Sequence, residues 1–238
     1  MDAMILAAGY GERLKPFTND KPKALIEVSG KPLLAHHIDH LLGIGFDNIV
    51  VNAFYLSEQV VDFVNKNPVY RSYVTVVVEP ELLNTGAGIQ NASRYFHLNQ
   101  PILIHNVDVF SDIDLVALYQ EHKDNKNMAT LAVSTRESDR KLLFNTRNKL
   151  CGWRNVKTEQ QIIKRYSRML IPYAFSGIHI IDAGLITMMP EADKPYSIID
   201  FYLNQCYHEK IECHVHDAQA WLDVGTPEKL ALLQARFE

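Results

Sequence analysis

The sequence lacks the cysteine pattern of a disulfide framework or a zinc site. Its three cysteines are odd in number and form no CxxC pair. It also lacks an excess of positive charge, because 24 Lys and Arg stand against 28 Asp and Glu. A protein that binds nucleic acid through a dense basic face is therefore excluded. These two absences favour a reducing compartment, the cytoplasm, and a partner other than nucleic acid.

Long apolar runs are absent as well. No run approaches the ~18 residues of a membrane span, and the N-terminus has neither the basic region nor the cleavage site of a signal peptide. We expect no membrane-spanning segment and no leader. The overall hydrophobic content of 47% is that of a globular protein with a core.

Short apolar runs alternate with segments of helical spacing through the first part of the chain. The runs are residues 4–8, 48–53, 74–78, 101–106 and 128–133. They lack the polar alternation of half-exposed strands and are predicted to be buried on both faces. The helical segments are residues 32–45, 57–67 and 114–123. This alternation predicts an α/β fold, with a doubly wound, mostly parallel sheet covered by helices.

The pattern changes after residue 134. Residues 142–153 are predicted to form two short strands around a turn, which indicates a small antiparallel subregion. Near the C-terminus, Thr226 and Pro227 form a capped helix start with proline in the first turn. This places Asp223 just ahead of a terminal helix.

The loop after the first predicted strand, residues 9–32, is rich in glycine and in cations. Gly9 and Gly11 can take positive φ and turn backbone N–H groups toward an anion. Arg13 can bind phosphate oxygens with its planar fork, and Lys23 adds a point charge. Neither the P-loop nor the dinucleotide fingerprint matches. Taken alone, the loop fits a polyphosphate site or a tight turn with a solvated basic rim.

The longer run ILAAGYGERLKPFTNDKPKALIEVSGKPLL resembles the signature LAxGxGxRLxPxTxxxPKxLxxVxxKPxL of the sugar-1-phosphate nucleotidyltransferases. Further similar stretches are LNTGAGI (83–89), IHNVDVF (104–110), FSGIHII (175–181) and WLDVGTPEKL (221–230). The resemblance thus covers nearly the whole chain. It implies one Rossmann-like domain, 1–238, in which 1–135 binds the nucleotide and 136–238 mainly binds the sugar phosphate.

In this family, the phosphate of a sugar 1-phosphate attacks the α-phosphorus of a nucleoside triphosphate and expels pyrophosphate. Such a reaction needs alignment and charge neutralisation, not a protein nucleophile. The resemblance implies two catalytic residues: Arg13 holds the leaving pyrophosphate, and Lys23 bridges the α-phosphate and the sugar phosphate. The implied nucleotide-binding residues are these two with Ala7, Ala8, Gly9, Gly11, Glu12, Asn84 and Gly86. Ala7 and Ala8 leave room for a flat base, and Gly86 permits close contact from the other side.

Two aspartates are the candidate metal ligands. Asp108 follows the strand 101–106 at its carboxyl end, where open α/β sheets bind ligands. Asp223 lies at an apolar strand end, where an acid needs a cation or donors. The resemblance implies that both bind Mg²⁺, which accepts one or two carboxylates with phosphate oxygens and water. The family usually has glycine before the first aspartate, whereas Val107 here places a side chain beside the expected metal.

The candidate substrate-binding residues are Asn106, Gly177 and Arg140. Asn106 can bond a sugar or ribose hydroxyl, and Gly177 matches a position where the family brings the sugar ring near the strand. Arg140 would meet an anionic substituent such as the lactyl carboxylate of N-acetylmuramate. A simply solvated arginine is the alternative.

Within the family, the LAAGxGER opening and the early WxDVGT ending resemble short uridylyltransferases. The favoured interpretation is a Mg²⁺-dependent enzyme that joins UTP and N-acetylmuramate 1-phosphate, in nucleotide-sugar biosynthesis and peptidoglycan recycling for the cell wall. It would act in the cytoplasm as a monomer or homodimer. The alternatives are a guanylyltransferase using GTP with mannose or heptose 1-phosphate, and a non-catalytic nucleotide-sugar-binding regulator. A glycosyltransferase is disfavoured because Asp108 is not part of a DxD motif.

Overall fold

A computed structural model describes residues 1–236, and a ten-stranded mixed sheet forms its centre. The strands are β1 (Asp2–Leu6), β2 (Glu27–Val28), β3 (Lys31–Pro32), β4 (Asn48–Ala53), β5 (Val74–Val78), β6 (Ile102–Asn106), β7 (Val109–Ser111), β8 (Ala129–Ser134), β9 (Arg140–Phe144), β10 (Leu150–Asn155), β11 (Gln161–Ile163), β12 (Ile171–Ile181), β13 (Ile211–Val215) and β14 (Trp221–Asp223). Two small pairs, β2 with β3 and β7 with β14, lie outside the main sheet.

Helices connect the strands. The α-helices are α1 (Leu33–Gly43), α2 (Ser57–Lys66), α3 (Pro68–Tyr73), α4 (Asn84–Ala92), α5 (Leu115–Asn125), α6 (Ala183–Ile186), α7 (Ile198–Gln205) and α8 (Pro227–Gln234). Short 3-10 helices span Glu12–Leu14, Lys23–Leu25, Ser93–Tyr95 and Ala218–Ala220. No helix in the described part of the chain is long and apolar enough to cross a membrane.

The centre of the sheet is parallel and its other half is mixed. Strands β6, β1, β4 and β5 run parallel as neighbours. Strand β12 pairs antiparallel with β6 and β8, and β13 pairs parallel with β8. The predicted α/β class with a mostly parallel central sheet is confirmed.

The buried strands carry apolar side chains on both faces because each face packs against its own hydrophobic cluster. Ile5 belongs to one cluster and Met4 to the other, as expected when successive residues point to opposite faces.

The strand β5 differs from the prediction. It forms the edge of the sheet, and Val78 is 50% exposed. Its apolar run therefore belongs to a half-exposed edge strand and not to a strand buried on both faces.

The predicted antiparallel subregion is present. Strands β9 and β10 pair antiparallel, and β12 continues the same sheet on the other side of β9. The short strand β11, which the sequence pattern did not indicate, pairs with the outer edge of β10.

At the C-terminus, the Thr226 hydroxyl accepts a hydrogen bond from the Lys229 N–H, and Pro227 lies in the first turn of α8. The predicted start of the terminal helix is confirmed.

Candidate active site

A cavity of about 680 Å³ lies at the carboxyl ends of β1, β4 and β6. This is the usual ligand position in an open α/β sheet, and the volume suits a nucleotide-sized ligand. Most of the residues singled out from the sequence line this cavity. They are Ala7, Ala8, Gly9, Gly11, Glu12, Arg13, Lys23, Asn84, Asn106 and Asp108.

The loop after β1 requires glycine at position 11. Gly11 has φ 68°, and a Cβ there would lie 2.9 Å from Cγ2 of Thr18 and 3.2 Å from Cβ of Lys23. The Thr18 hydroxyl donates a hydrogen bond to the Gly11 carbonyl at 2.9 Å. Gly9, in contrast, is not among the residues with positive φ, and no atom lies within 4 Å of where its Cβ would be. The expected positive φ is therefore found at Gly11 and not at Gly9.

The folded loop brings Lys23 to the first aspartate. Lys23 follows Pro22 at the start of a 3-10 helix and is 9% exposed. Its Nζ donates to Oδ2 of Asp108 at 2.5 Å. Asp108 comes directly after β6, and the preceding Val107 donates its N–H to the Leu6 carbonyl of β1 at 3.1 Å. The Val107 side chain is 4% exposed and packs in a hydrophobic cluster, so it contributes to the core.

The pairing of β7 with β14 brings the second aspartate to the same place. Asp223 is opposite Val109 in this pair, and the Val224 N–H donates to the Asp108 carbonyl at 2.7 Å. Asp223 accepts a short hydrogen bond from the ammonium of Lys229. The two carboxylates come from distant parts of the sequence and are connected through backbone hydrogen bonds.

Arg13 meets Asp223 at Gly225. A Cβ built on Gly225 would lie 2.7 Å from Oδ1 of Asp223 and 2.8 Å from Nη2 of Arg13. Both side chains therefore occupy the space that this glycine leaves open. Arg13, Lys23 and Asp108 line the cavity, and Asp223, paired with Lys229, adjoins it at Gly225 without lining it. Such a site can bind phosphate oxygens and a hard cation together.

The donor set fits Mg²⁺. The side chains of Asp108 and Asp223 are 24% and 20% exposed and accessible to solvent. Within residues 1–236, no group of three or more His, Cys, Asp or Glu side chains is arranged to hold a metal. Two carboxylates suit an ion that completes its shell with substrate phosphates and water, as Mg²⁺ commonly does. Each carboxylate accepts a hydrogen bond from a lysine through its Oδ2 atom.

Two polar residues that the sequence reasoning missed form the floor of the cavity. Asn52 accepts from the Ala7 N–H at 2.8 Å and donates to Oε1 of Glu79 at 2.7 Å. The other Glu79 oxygen accepts from the Leu83 N–H at 3.1 Å. Burial raises the pKa of Glu79, and the hydrogen bonds from Asn52 and Leu83 oppose this. The network connects the loop after β1 to the segment preceding α4. The acid directly after the run VTVVV was the available signal.

Gly86 has a different role from the one expected. A Cβ at Gly86 would lie 2.4 Å from two ring carbons of Tyr196, and the Gly86 N–H donates to the Tyr196 carbonyl at 2.9 Å. The space beside Gly86 is therefore filled by the protein and not left for a base. Asn84 lines the cavity with φ 65°, and its side chain accepts from the Thr85 N–H at 2.7 Å.

On the acceptor side, Gly177 supports Asn106. Gly177 has φ 75°, and a Cβ there would lie 2.8 Å from the Asn106 amide nitrogen. Gly177 thus lies behind Asn106 and does not line the cavity. Arg140 is exposed at the start of β9 and does not line the cavity either. Besides Arg13, Arg136 also comes near Asp223, and its guanidinium carbon lies 3.9 Å from the centre of the Trp221 ring.

The fold and the site define a nucleotide-binding α/β protein with a cationic loop and paired acids. Residues 2–142 match the model of the nucleotidyl transferase family, and the chain belongs to this family. It is 41% identical over 121 residues to an N-acetylmuramate alpha-1-phosphate uridylyltransferase of Neisseria meningitidis, a match covering 50% of this chain and 52% of the relative. It is 27% identical to the enzyme of that name from Caulobacter vibrioides, over 99% of this chain and 96% of the relative.

Other relatives are named for guanylyl transfer and not for uridylyl transfer. The chain is 29% identical to mannose-1-phosphate guanyltransferase 2 of Candida glabrata over 96% of its own length, and spans 62% of that relative. Among solved structures, HddC from Yersinia pseudotuberculosis complexed with GMP-PN has a TM-score of 0.78 at 24% identity, covering 100% of this chain and 99% of that one. At this identity the likeness shows the fold. Family membership thus establishes a sugar-phosphate nucleotidyltransferase without fixing the base.

Proposed function

We propose that this protein is a Mg²⁺-dependent uridylyltransferase that joins UTP and N-acetylmuramate 1-phosphate to give the UDP sugar and pyrophosphate. The observation that carries the proposal is that Arg13, Lys23 and Asp108 line one cavity, with Asp223 beside them at Gly225. Similarity to two N-acetylmuramate alpha-1-phosphate uridylyltransferases supports the choice of substrates. We place the reaction in the cytoplasm, in nucleotide-sugar supply for the cell wall, and the protein as a monomer or homodimer.

The reaction requires the chain to hold two polyanions in line. The sugar phosphate oxygen forms a bond to the α-phosphorus while the bond to the pyrophosphate oxygen breaks, and no proton needs to be removed by a protein base. Lys23 lies beside Asp108, where it can contact the α-phosphate and the attacking phosphate. Arg13 presents a planar fork for the leaving pyrophosphate. Mg²⁺ bound at Asp108 and Asp223 would neutralise charge as it develops.

A guanylyltransferase acting on mannose or heptose 1-phosphate is the second candidate. It is favoured by the similarity to a mannose-1-phosphate guanyltransferase along nearly the whole of this chain. The base-side residues Ala7, Ala8 and Asn84 present small side chains and one amide to the cavity. An amide has both a donor and an acceptor, so this wall accommodates either base. The choice between UTP and GTP therefore requires measurement.

The test is pyrophosphate release with Mg²⁺, each nucleoside triphosphate and a panel of sugar 1-phosphates. We expect the highest kcat/KM with UTP and N-acetylmuramate 1-phosphate. Lys23→Met should lower kcat/KM at least ~100-fold, because it removes a charge from the transition state. Lys21→Met is the matched control, because Lys21 is two residues away and pairs with the exposed Glu27. It should leave turnover unchanged.

Three outcomes would contradict the proposal. Preferred turnover of GTP with mannose or heptose 1-phosphate would establish the second candidate. Absence of pyrophosphate release across the panel, with nucleotide binding retained, would indicate a non-catalytic nucleotide-sugar-binding regulator. Equal losses in Lys23→Met and Lys21→Met would show that Lys23 has no special place in the site.

A further inference from the structure

Three cations, Arg136, Lys141 and Arg154, come together near the second aspartate, and in the part of the chain that the structure describes the nearby acids Asp223 and Glu137 form no ion pair with them. Lys141 on β9 and Arg154 on β10 are directly opposite each other in the antiparallel pair. The Lys141 ammonium donates to the carbonyl of Arg136. Within residues 1–236, none of the three takes part in an ion pair. Like charges opposite one another destabilise a sheet, so this arrangement calls for a physical reason.

Arg136 is held in place by its contacts, and within the described chain Arg136 and Arg154 each keep a donor without a partner. The Arg136 guanidinium lies 3.9 Å from the centre of the Trp221 ring, and its Nη2 donates to the Phe175 carbonyl at 2.7 Å. The Trp221 ring is fixed in turn, because its Nε1 donates to the Ser176 carbonyl at 2.8 Å. The Nε atoms of Arg136 and Arg154 are both buried without a hydrogen-bond partner among the described residues. A positioned guanidinium with an unused donor is suited to binding an anion.

The cluster adjoins the part of the site where the acceptor is expected. Trp221 and Asp223 belong to the same short strand, β14, and Ser176 precedes the Gly177 that supports Asn106. Burial lowers the pKa of Arg136, and the nearby carboxylate of Asp223 opposes this shift. Arg136 therefore lies near a proposed metal ligand, and Lys141 and Arg154 extend the cluster from there.

The charges that act on Lys141 are those of two other cations and one acid. Burial lowers the pKa of Lys141, the charges of Arg136 and Arg154 lower it further, and Glu137 opposes them. The neighbouring Arg140 is not part of this cluster. It is exposed, and successive residues of a strand point to opposite faces. The sequence suggested Arg140 as the residue that binds an anion. The fold supplies Lys141 instead, one residue further along β9.

We propose that Arg136, Lys141 and Arg154 bind an anionic substituent, a carboxylate or a second phosphate, carried by the sugar of the acceptor. The inference rests on one part of the proposed function, namely that the acceptor is a sugar 1-phosphate. The 1-phosphate would lie at Lys23, and the second anion would lie across the sugar ring at the cluster. This subsite selects acidic acceptors over neutral ones, because an uncharged substituent leaves three cations unpaired next to it.

Matched acceptor pairs test the subsite by equilibrium binding to the full chain with Mg²⁺, measured by calorimetry. N-acetylmuramate 1-phosphate differs from N-acetylglucosamine 1-phosphate by its lactyl ether, and glucose 1,6-bisphosphate differs from glucose 1-phosphate by one phosphate. We expect at least ~10-fold tighter binding of one charged member than of its neutral counterpart. The pair that shows the preference identifies the anion as carboxylate or phosphate. Equal affinities within both pairs would overturn the proposal.

Substitutions identify the residues that give the preference for charged acceptors. Lys141→Met and Arg154→Met should each abolish the preference while leaving the affinity for the neutral member unchanged, and Arg140→Met should keep it. Because these changes relieve like-charge repulsion, both variants should melt at or above the temperature of the native chain. Loss of affinity for charged and neutral members alike, or a preference that survives both substitutions, would refute the assignment.

The experiments distinguish a failure of the anion subsite from a failure of the proposed function. If no nucleotide and acceptor release pyrophosphate while the binding preference persists and depends on Lys141 and Arg154, the uridylyltransferase proposal fails and the anion subsite stands. If turnover occurs equally well with neutral and acidic acceptors, the nucleotidyltransferase activity stands and the subsite is refuted.

Discussion

A single methyl group at Gly225 tests the geometry of the proposed site. A Cβ there would lie 2.7 Å from Oδ1 of Asp223 and 2.8 Å from Nη2 of Arg13. Favourable contact begins at about 3.5 Å, so each polar atom must move by about 0.7 Å. Both atoms are at the ends of side chains, and the backbone can stay in place. Gly225→Ala should therefore displace a proposed metal ligand and a proposed pyrophosphate ligand with little effect on the fold.

The size of the effect follows from this displacement. A misplacement of about 1 Å at a reacting centre lowers the rate about 100-fold, which corresponds to about 2.7 kcal/mol. A shift of about 0.7 Å then raises the barrier by about 2 kcal/mol and lowers kcat/KM about 25-fold. The free energy of unfolding should change by less than about 0.5 kcal/mol, as for substitutions that create no cavity or buried charge.

The assay combines pyrophosphate release with urea unfolding, and the affinity for UTP with Mg²⁺ serves as a readout that does not depend on the acceptor. Gly43→Ala is the control, because no atom lies within 4 Å of a Cβ at the end of α1. It should keep native turnover and equal or slightly greater stability. If Gly225→Ala kept both kcat/KM and nucleotide affinity within twofold of the native chain, the role of Arg13 and Asp223 as one unit would be refuted.

Two further predictions concern stability. His179 is buried with both ring nitrogens unpartnered among the described residues, and burial, with a smaller effect of His105, lowers its pKa to about 3. Below the unfolded pKa of about 6.5 the unfolded chain binds the proton first, so stability falls by about 1.4 kcal/mol per pH unit down to the folded pKa. His179→Phe should reduce the loss of unfolding free energy between pH 7 and 5.5 by about 1 kcal/mol in urea titrations; identical losses would contradict this. Gly86→Ala would place a methyl group 2.4 Å from the Tyr196 ring and should lower the free energy of unfolding by about 1–3 kcal/mol. An unchanged unfolding midpoint would show that Tyr196 moves aside freely.

The parts of the fold that the sequence predicted are those determined by local pattern. The runs around Ile5, Val51 and Ile104 predict buried parallel strands because apolar side chains occupy both faces, and the structure has them as β1, β4 and β6. The edge position of β5 was not predictable, because its run VTVVV is as apolar as the others. Its exposure depends on strand order, which is set by the packing of the whole sheet.

For the candidate site, the sequence singled out residues but could not predict the contacts between them. Arg13, Lys23 and Asp108 follow from a loop and a strand end whose spacing is local. Asp223 joins them through the three-residue pairing of β14 with β7, a long-range register that no local pattern reveals. Lys229 reaches Asp223 from the first turn of α8, only six residues further along the chain. The role assigned to Gly86 was wrong because its neighbour, Tyr196, comes from a distant loop.

The distribution of charge connects the site to the stability of the fold. The chain carries a formal charge of −4, and the acids at the nucleotide end are already paired with Lys23 and Lys229. Lys141 and Arg154 are instead opposed and take part in no ion pair within residues 1–236, in a part of the sheet where a neutral pair would be more stable. Proteins retain such local conflicts mainly where function requires them. The unpaired cations are therefore better explained by an acidic acceptor than by packing.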